Sequence, residues 1–140
     1  LEVIMAKITQ EMKDVIEKTR GWAFATSNKE GIPNVVTIHF TKIISDNEIM
    51  FVDIFMKKTL ENIKNNPNVA LTVWDWDVKP RKGYQFKGEA RIETSGKLFE
   101  EGVKIVKAEK PELDPKGVVI VKVNSIYITS PGPDAGKEVT

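Results

Sequence analysis

The sequence predicts a mainly β protein, a six- to seven-stranded antiparallel barrel with peripheral helices. Three observations carry this reading. Short runs rich in Val, Ile, Thr and aromatic residues follow one another through most of the chain. The links between them are mostly turn-sized, too short for the crossovers that parallel strands need. Helical periodicity occurs only in three places, at the margins of these runs.

The first helix is expected from Ile8 to Arg20, where Ile8, Met12, Val15 and Ile16 share one face. Thr9 can cap its start, and Gly21 stands where a left-handed C-terminal cap belongs. Strand texture begins at Trp22–Thr26, turns at Asn28–Gly31, and resumes as one long strand from Pro33 to Ile44. A turn at Ser45–Asn47 leads into a third strand, Glu48–Asp53. Met56 to Pro67 reads as a short helix with Thr59 at its start and Leu60 and Ile63 facing inward. Val69–Trp74 and Gly83–Glu93 are the next strands, joined by the charged loop Asp75–Lys82, with Gly88 as a bulge. Phe99, Val103 and Val106 define another amphipathic helix between Ser95 and Glu109, and Val118–Val123 and Ile126–Thr129 complete the sheet. From Ser130 to Thr140 periodicity is lost, which predicts a loosely ordered arm able to lie across a dimer partner.

A chain of 140 residues fits a single domain at ~100–200 residues each. Leu1–Ile4 precede the first Met and are read as a cloning remnant. Lys plus Arg number 21 against 20 Asp plus Glu, so the net charge of +1 gives no electrostatic case for nucleic acid or anionic membrane. No apolar run is long enough to span a bilayer and no signal peptide is evident, so a soluble cytoplasmic protein is expected. With no Cys and a single His, thiolate chemistry is excluded and a metal site is not expected.

The candidates for chemistry are few. His39 lies in Thr37-Ile38-His39-Phe40, where alternation puts Thr37 and His39 on one face and Ile38 and Phe40 on the other. No Gly-x-Ser-x-Gly elbow accompanies it, so the residues make no case for a nucleophilic hydrolase. Lys57-Lys58-Thr59 sets two ammonium groups and a hydroxyl at a helix start, a combination suited to a terminal phosphate. Trp74, Trp76, Tyr84 and Phe86 gather around the Asp75–Lys82 loop with Arg81 and Lys82, and could stack on a planar heterocycle.

Taken in order, these segments resemble the flavin mononucleotide (FMN)-binding split barrels of the pyridoxamine 5'-phosphate oxidase-like superfamily. The resemblance rests on the opening helix, Ala25-Thr26-x-x-x-x-Gly31-x-Pro33, Val36–Phe40, Val52-Asp53, and Lys57-Lys58-Thr59-x-x-Asn62-x-x-x-Asn66-Pro67-x-Val69. It implies that Lys58 and Thr59, with Lys57 beside them, hold the flavin phosphate. By the same match, the strand Val36–Thr41, with Val36, Thr37, Ile38 and His39, runs along the isoalloxazine ring mostly through backbone groups, and Val52 and Asp53 approach it. Gln85 shares a strand face with Gly83, the position at which oxidases of the superfamily often carry Gln. A homodimer with two flavin sites at its interface is implied, exchanging electrons with a small-molecule or protein partner. The Arg- and His-bearing C-terminal segment that holds pyridoxal in true pyridoxamine phosphate oxidases has no match, so another substrate is expected. The same fold also admits a carrier of electrons without a substrate, or a deazaflavin or haem ligand.

Overall fold

The computed structural model describes residues 6–19 and 21–139. Ten elements follow in chain order: α1 (Gln10–Lys18), β1 (Trp22–Ser27), β2 (Pro33–Ile38), β3 (Thr41–Ser45), β4 (Glu48–Asp53), α2 (Lys58–Asn65), β5 (Asn68–Asp75), β6 (Lys82–Glu93), α3 (Lys97–Glu109) and β7 (Gly117–Ile128). The seven strands form one antiparallel sheet in the order β2-β1-β5-β6-β7-β4-β3.

The expected single strand Pro33–Ile44 is broken at His39-Phe40, and this break shapes the barrel. Its first half pairs with β1 (Trp22 opposite Ile38), its second with β4 (Thr41 opposite Phe51). One stretch of chain thus supplies both edges of the sheet and turns the corner between them. The Trp22 indole N–H donates to Thr41 Oγ1 across that corner at 3.3 Å. His39 therefore stands at a bend between strands, not in the middle of one.

The opposite correction applies at the C-terminus, where Val118–Val123 and Ile126–Thr129 merge into the single strand β7. Gly88 pairs with Val123 and Lys87 with Ser125, so the extra residue of the bulge is Asn124 and Gly88 is the residue it closes upon. The arm after Ser130 does not leave the sheet. It turns at Gly132–Gly136 and runs back along β7, with Val139 N–H donating to Ile126 O and Ile128 N–H to Lys137 O.

Alternation decides what is buried. Trp22, Phe24, Phe51 and Phe86 meet inside the barrel, with Phe51 edge-on to both Trp22 (5.3 Å between centroids) and Phe24 (5.0 Å). Beyond Glu48, β4 is buried on both faces: Ile49 and Phe51 point into the barrel, Met50 and Val52 against α3. Helix α1 closes one end with Met12, Val15 and Ile16, as its periodicity predicts, and Ile8, ahead of its cap, is buried beside them. Thr9 caps it by accepting from Met12 N–H at 3.3 Å. Its other end is closed at Thr19, whose N–H donates to Val15 and Ile16 carbonyls, and Gly21 has no positive φ. The expected final residue Arg20 lies outside the described residues, as do Leu1–Ile4. On α3 the buried face centres on Gly102 and Val106, with Phe99 half-buried, rather than on Val103. Gly102 is required by closeness: a Cβ there would come within 2.6 Å of Val118 Cγ1.

Candidate functional site

Helix α2 is fixed to the sheet by a ladder of side-chain amides and hydroxyls. Asn62 Nδ2 donates to Thr26 Oγ1 at 3.0 Å, Asn66 Nδ2 to Ser27 Oγ at 3.0 Å, and Asn34 Nδ2 to Thr59 Oγ1 at 3.3 Å. Asn62 and Thr59 are buried, and each is satisfied by this ladder. The sequence motif Thr59-x-x-Asn62-x-x-x-Asn66 is in this respect a device for orienting the helix.

The helix is capped two residues earlier than expected. Lys57 is the N-cap, with no side-chain hydrogen bond to close it, and Thr59 sits within the first turn, not at the cap. Glu61 N–H is the first to bond back, to Lys57 O at 3.1 Å. The preceding amides therefore have no intrahelical acceptor, and the positive end of the helix dipole faces out beside two exposed lysines. The buried face is Thr59, Asn62 and Ile63, with Leu60 half-buried against the core.

The turn ahead of α2 is built on Asp53. Its buried carboxylate accepts from Met56 N–H at 2.9 Å, and its carbonyl accepts from Lys116 N–H at 2.8 Å. Burial pushes the Asp53 pKa above the usual carboxylate range, against the opposing pull of the Met56 hydrogen bond and the Lys116 charge. A raised folded-state pKa means that the folded protein takes up the proton more readily than the unfolded chain. The stability this contributes is full at low pH and is lost as pH rises through the raised value. Asp53→Asn keeps an acceptor for Met56 N–H and removes the buried charge. At pH 7 its Tm is expected to equal or exceed that of the parent. In melts repeated at decreasing pH, the parent should gain on the variant; a parent that loses ground would show the carboxylate is favoured in its charged form.

Between β2, the end of β4 and the start of α2 lies a cavity of about 500 Å³. Its walls bring together Val36, Thr37, Ile38, His39, Val52, Lys57, Lys58 and Thr59, eight of the ten positions singled out from sequence. Asp53 is beneath it as the support of the turn, and Gln85 lies on β6 between Thr72 and Tyr127, away from it. Phe40, Ile54, Phe55, Met56 and Leu113 complete the lining. Phe40 closes the motif strand Val36–Phe40, whereas Ile54, Phe55 and Met56 follow no motif and are placed by the Asp53 turn, and Leu113 by the turn after α3. The wall is chiefly apolar, with charge at the α2 end. At the other end His39 Nε2 lies 3.2 Å from Glu109 at the close of α3, and its ring stands edge-on to Phe40 at 4.8 Å.

The aromatic group expected around Asp75–Lys82 divides. Tyr84 and Phe86 belong to the barrel core, whereas Trp74 and Trp76 remain exposed and border a second cavity with Lys18, Thr19, Gly21 and Asp75. Arg81 stacks over Trp76 at 5.3 Å, and Lys82 pairs with Glu11 at 2.9 Å. Among the described residues no helix is long and apolar enough to cross a membrane.

Comparison with known proteins places this geometry. Uncharacterized protein MJ0282 of Methanocaldococcus jannaschii is 38% identical over 135 residues, spanning 95% of this chain and 88% of the relative. Among solved structures, HupZ of Group A Streptococcus matches with a TM-score of 0.79 and 29% identity, over 92% of this chain and 99% of that one. An FMN-binding protein from Syntrophomonas wolfei shares the fold with a TM-score of 0.71 and 18% identity, over 86% of this chain and 89% of that one. Other neighbours in fold carry different ligand names: HutZ, the heme storage protein from Vibrio cholerae (TM-score 0.67, 15% identity, 87% and 94% covered), and an F420 reductase (TM-score 0.63, 20% identity, 81% and 94% covered). The signature of the pyridoxamine 5'-phosphate oxidase family matches residues 8–130, nearly the whole described chain, and with the seven-stranded antiparallel barrel it establishes that this protein belongs to that family.

Proposed function

We propose that the protein is an FMN-binding flavoprotein that acts as an oxidoreductase from the β2–α2 cavity. The observation that carries this reading is the shape of the cavity's chemistry: an apolar wall along β2 that ends at an uncapped helix start beside Lys57 and Lys58. A phosphorylated ligand with a planar apolar ring needs both ends. The helix amides and the two ammonium groups meet the phosphate, and Thr59 adds its hydroxyl hydrogen, since Asn34 uses only the oxygen's acceptor side. Val36, Ile38 and Val52 exclude water from the ring, while Thr37 and His39 stand on the alternate face of the bend. Bound flavin supplies the electron chemistry itself, which suits a chain whose only His is spent on a surface pair with Glu109.

The protein is proposed to work as a homodimer, with flavin at the interface and electrons exchanged with a small molecule or a protein. Support comes from edge strand β2 and its hairpin, where Ile32 and Val35 are 62% and 66% exposed. An apolar edge of this kind favours cover by another chain.

The test is a titration of the purified protein with FMN and with riboflavin, followed by absorption. Clear preference for FMN is the expected result; indifference to both would sink the reading. Haem or deazaflavin is a second reading, favoured by the HutZ and F420 reductase likenesses. The absorption spectrum of the protein as isolated distinguishes the three ligands.

A further inference from the structure

Six Phe residues occur in the chain. Phe24, Phe51 and Phe86 are wholly buried, Phe40 and Phe99 half-buried against the α3 cluster, and Phe55 alone is left 75% exposed. Its position is not the slack of a loop. Ile54 before it is 8% exposed and packed with Val106 and Val118, and Met56 after it packs against the barrel core. The Asp53 carboxylate bonded to Met56 N–H closes the turn between them. Both neighbours are thus committed to opposite clusters, and Phe55 is presented at the cavity lip, where it lines the same space as Val36 and Lys58.

We infer that Phe55 is a ligand-contacting residue that packs its ring against the planar ring system of the molecule held in the β2–α2 cavity. The inference rests on the flavin reading and deepens it, naming the isoalloxazine ring as the part that Phe55 meets. Phe55 and Lys58 stand three positions apart in the chain, a reach of up to ~10 Å. The ribityl chain that joins the phosphate of FMN to its ring bridges a similar gap. A phosphate held at Lys58 therefore brings the ring system within range of Phe55 rather than of the second cavity. An exposed aromatic ring gains from this contact both by burial and by stacking.

The experiment titrates FMN and riboflavin into the parent protein, Phe55→Ala and Phe55→Trp. Phe55→Ala should weaken both flavins alike, by about tenfold. Phe55→Trp should restore affinity and quench flavin fluorescence more strongly than the parent. A ring contact acts on both ligands, whereas a phosphate contact acts on FMN alone. If the parent binds neither flavin, the flavin reading fails and this inference with it. If the parent binds and Phe55→Ala stays within about twofold for both, the inference alone is overturned. A change of oligomeric state in Phe55→Ala with unchanged flavin affinity would also overturn it, assigning the ring to a protein contact.

Discussion

Lys57→Ala combined with Lys58→Ala is expected to weaken FMN binding by about 2–4 kcal/mol, discounting two charge-assisted hydrogen bonds for their exposure. Riboflavin affinity should be unchanged, because it lacks the phosphate these side chains are proposed to meet. The two lysines are exposed, and neither belongs to the ladder that holds α2 on the sheet. The variant should therefore fold with the parent's Tm, and the comparison reads the site alone. Raising the salt concentration should reduce the advantage of FMN in the parent and have little effect in the variant. Equal losses for FMN and riboflavin would instead place the lysines at the ring. Thr59→Ala is a poorer probe of phosphate contact, since Thr59 is 1% exposed and accepts from Asn34. Its loss would loosen the helix as well as the ligand.

These residues also show how far the sequence could be read. Alternation and turn residues were enough for a strand such as β1, which buries one face inside the barrel, because a slip of one residue there would turn Trp22 and Phe24 outward. The pairing of the two ends of the sheet was not legible. Nothing in Ile38-His39-Phe40-Thr41 marks a bend locally; the break follows from β1 and β4 lying next to opposite ends of the strand order, each pairing with one half of the same stretch of chain. The start of α2 was misplaced for a related reason. Thr at a helix start usually caps, yet Thr59 is buried and accepts from Asn34, 25 residues earlier, and tertiary contact overrides the local preference. Conversely, Lys58 and Val36 came together from sequence only through the family resemblance; their spacing carries no contact information. Phe55 was invisible, because its exposure depends on Ile54 and Met56 being drawn to different clusters.

Gly88→Ala should cost about 3 kcal/mol or more, and lower the Tm by roughly 10 °C in a chain of this size. The cause is proximity, not backbone freedom, since Gly88 is not among the glycines of positive φ. A Cβ on Gly88 would overlap the carbonyl oxygen of Lys122 and lie 3.1 Å from Val123 Cα. The obstacle is backbone, with no side chain able to rotate aside. Relief requires β6 and β7 to separate at the bulge, and these two strands make the longest pairing in the sheet, from Tyr84–Ile128 to Glu93–Val118. Gly31→Asn is the control, because Gly31 has φ +81° and nothing near its Cβ position, and Asn tolerates that conformation. It should cost well under half of the Gly88→Ala loss. The cavity lies between β2, β4 and α2, away from the bulge. Below its lower Tm the folded Gly88→Ala protein should consequently bind FMN as the parent does. A variant as stable as the parent would mean that β7 closes on β6 with a different register, and would displace Asn124 from the bulge.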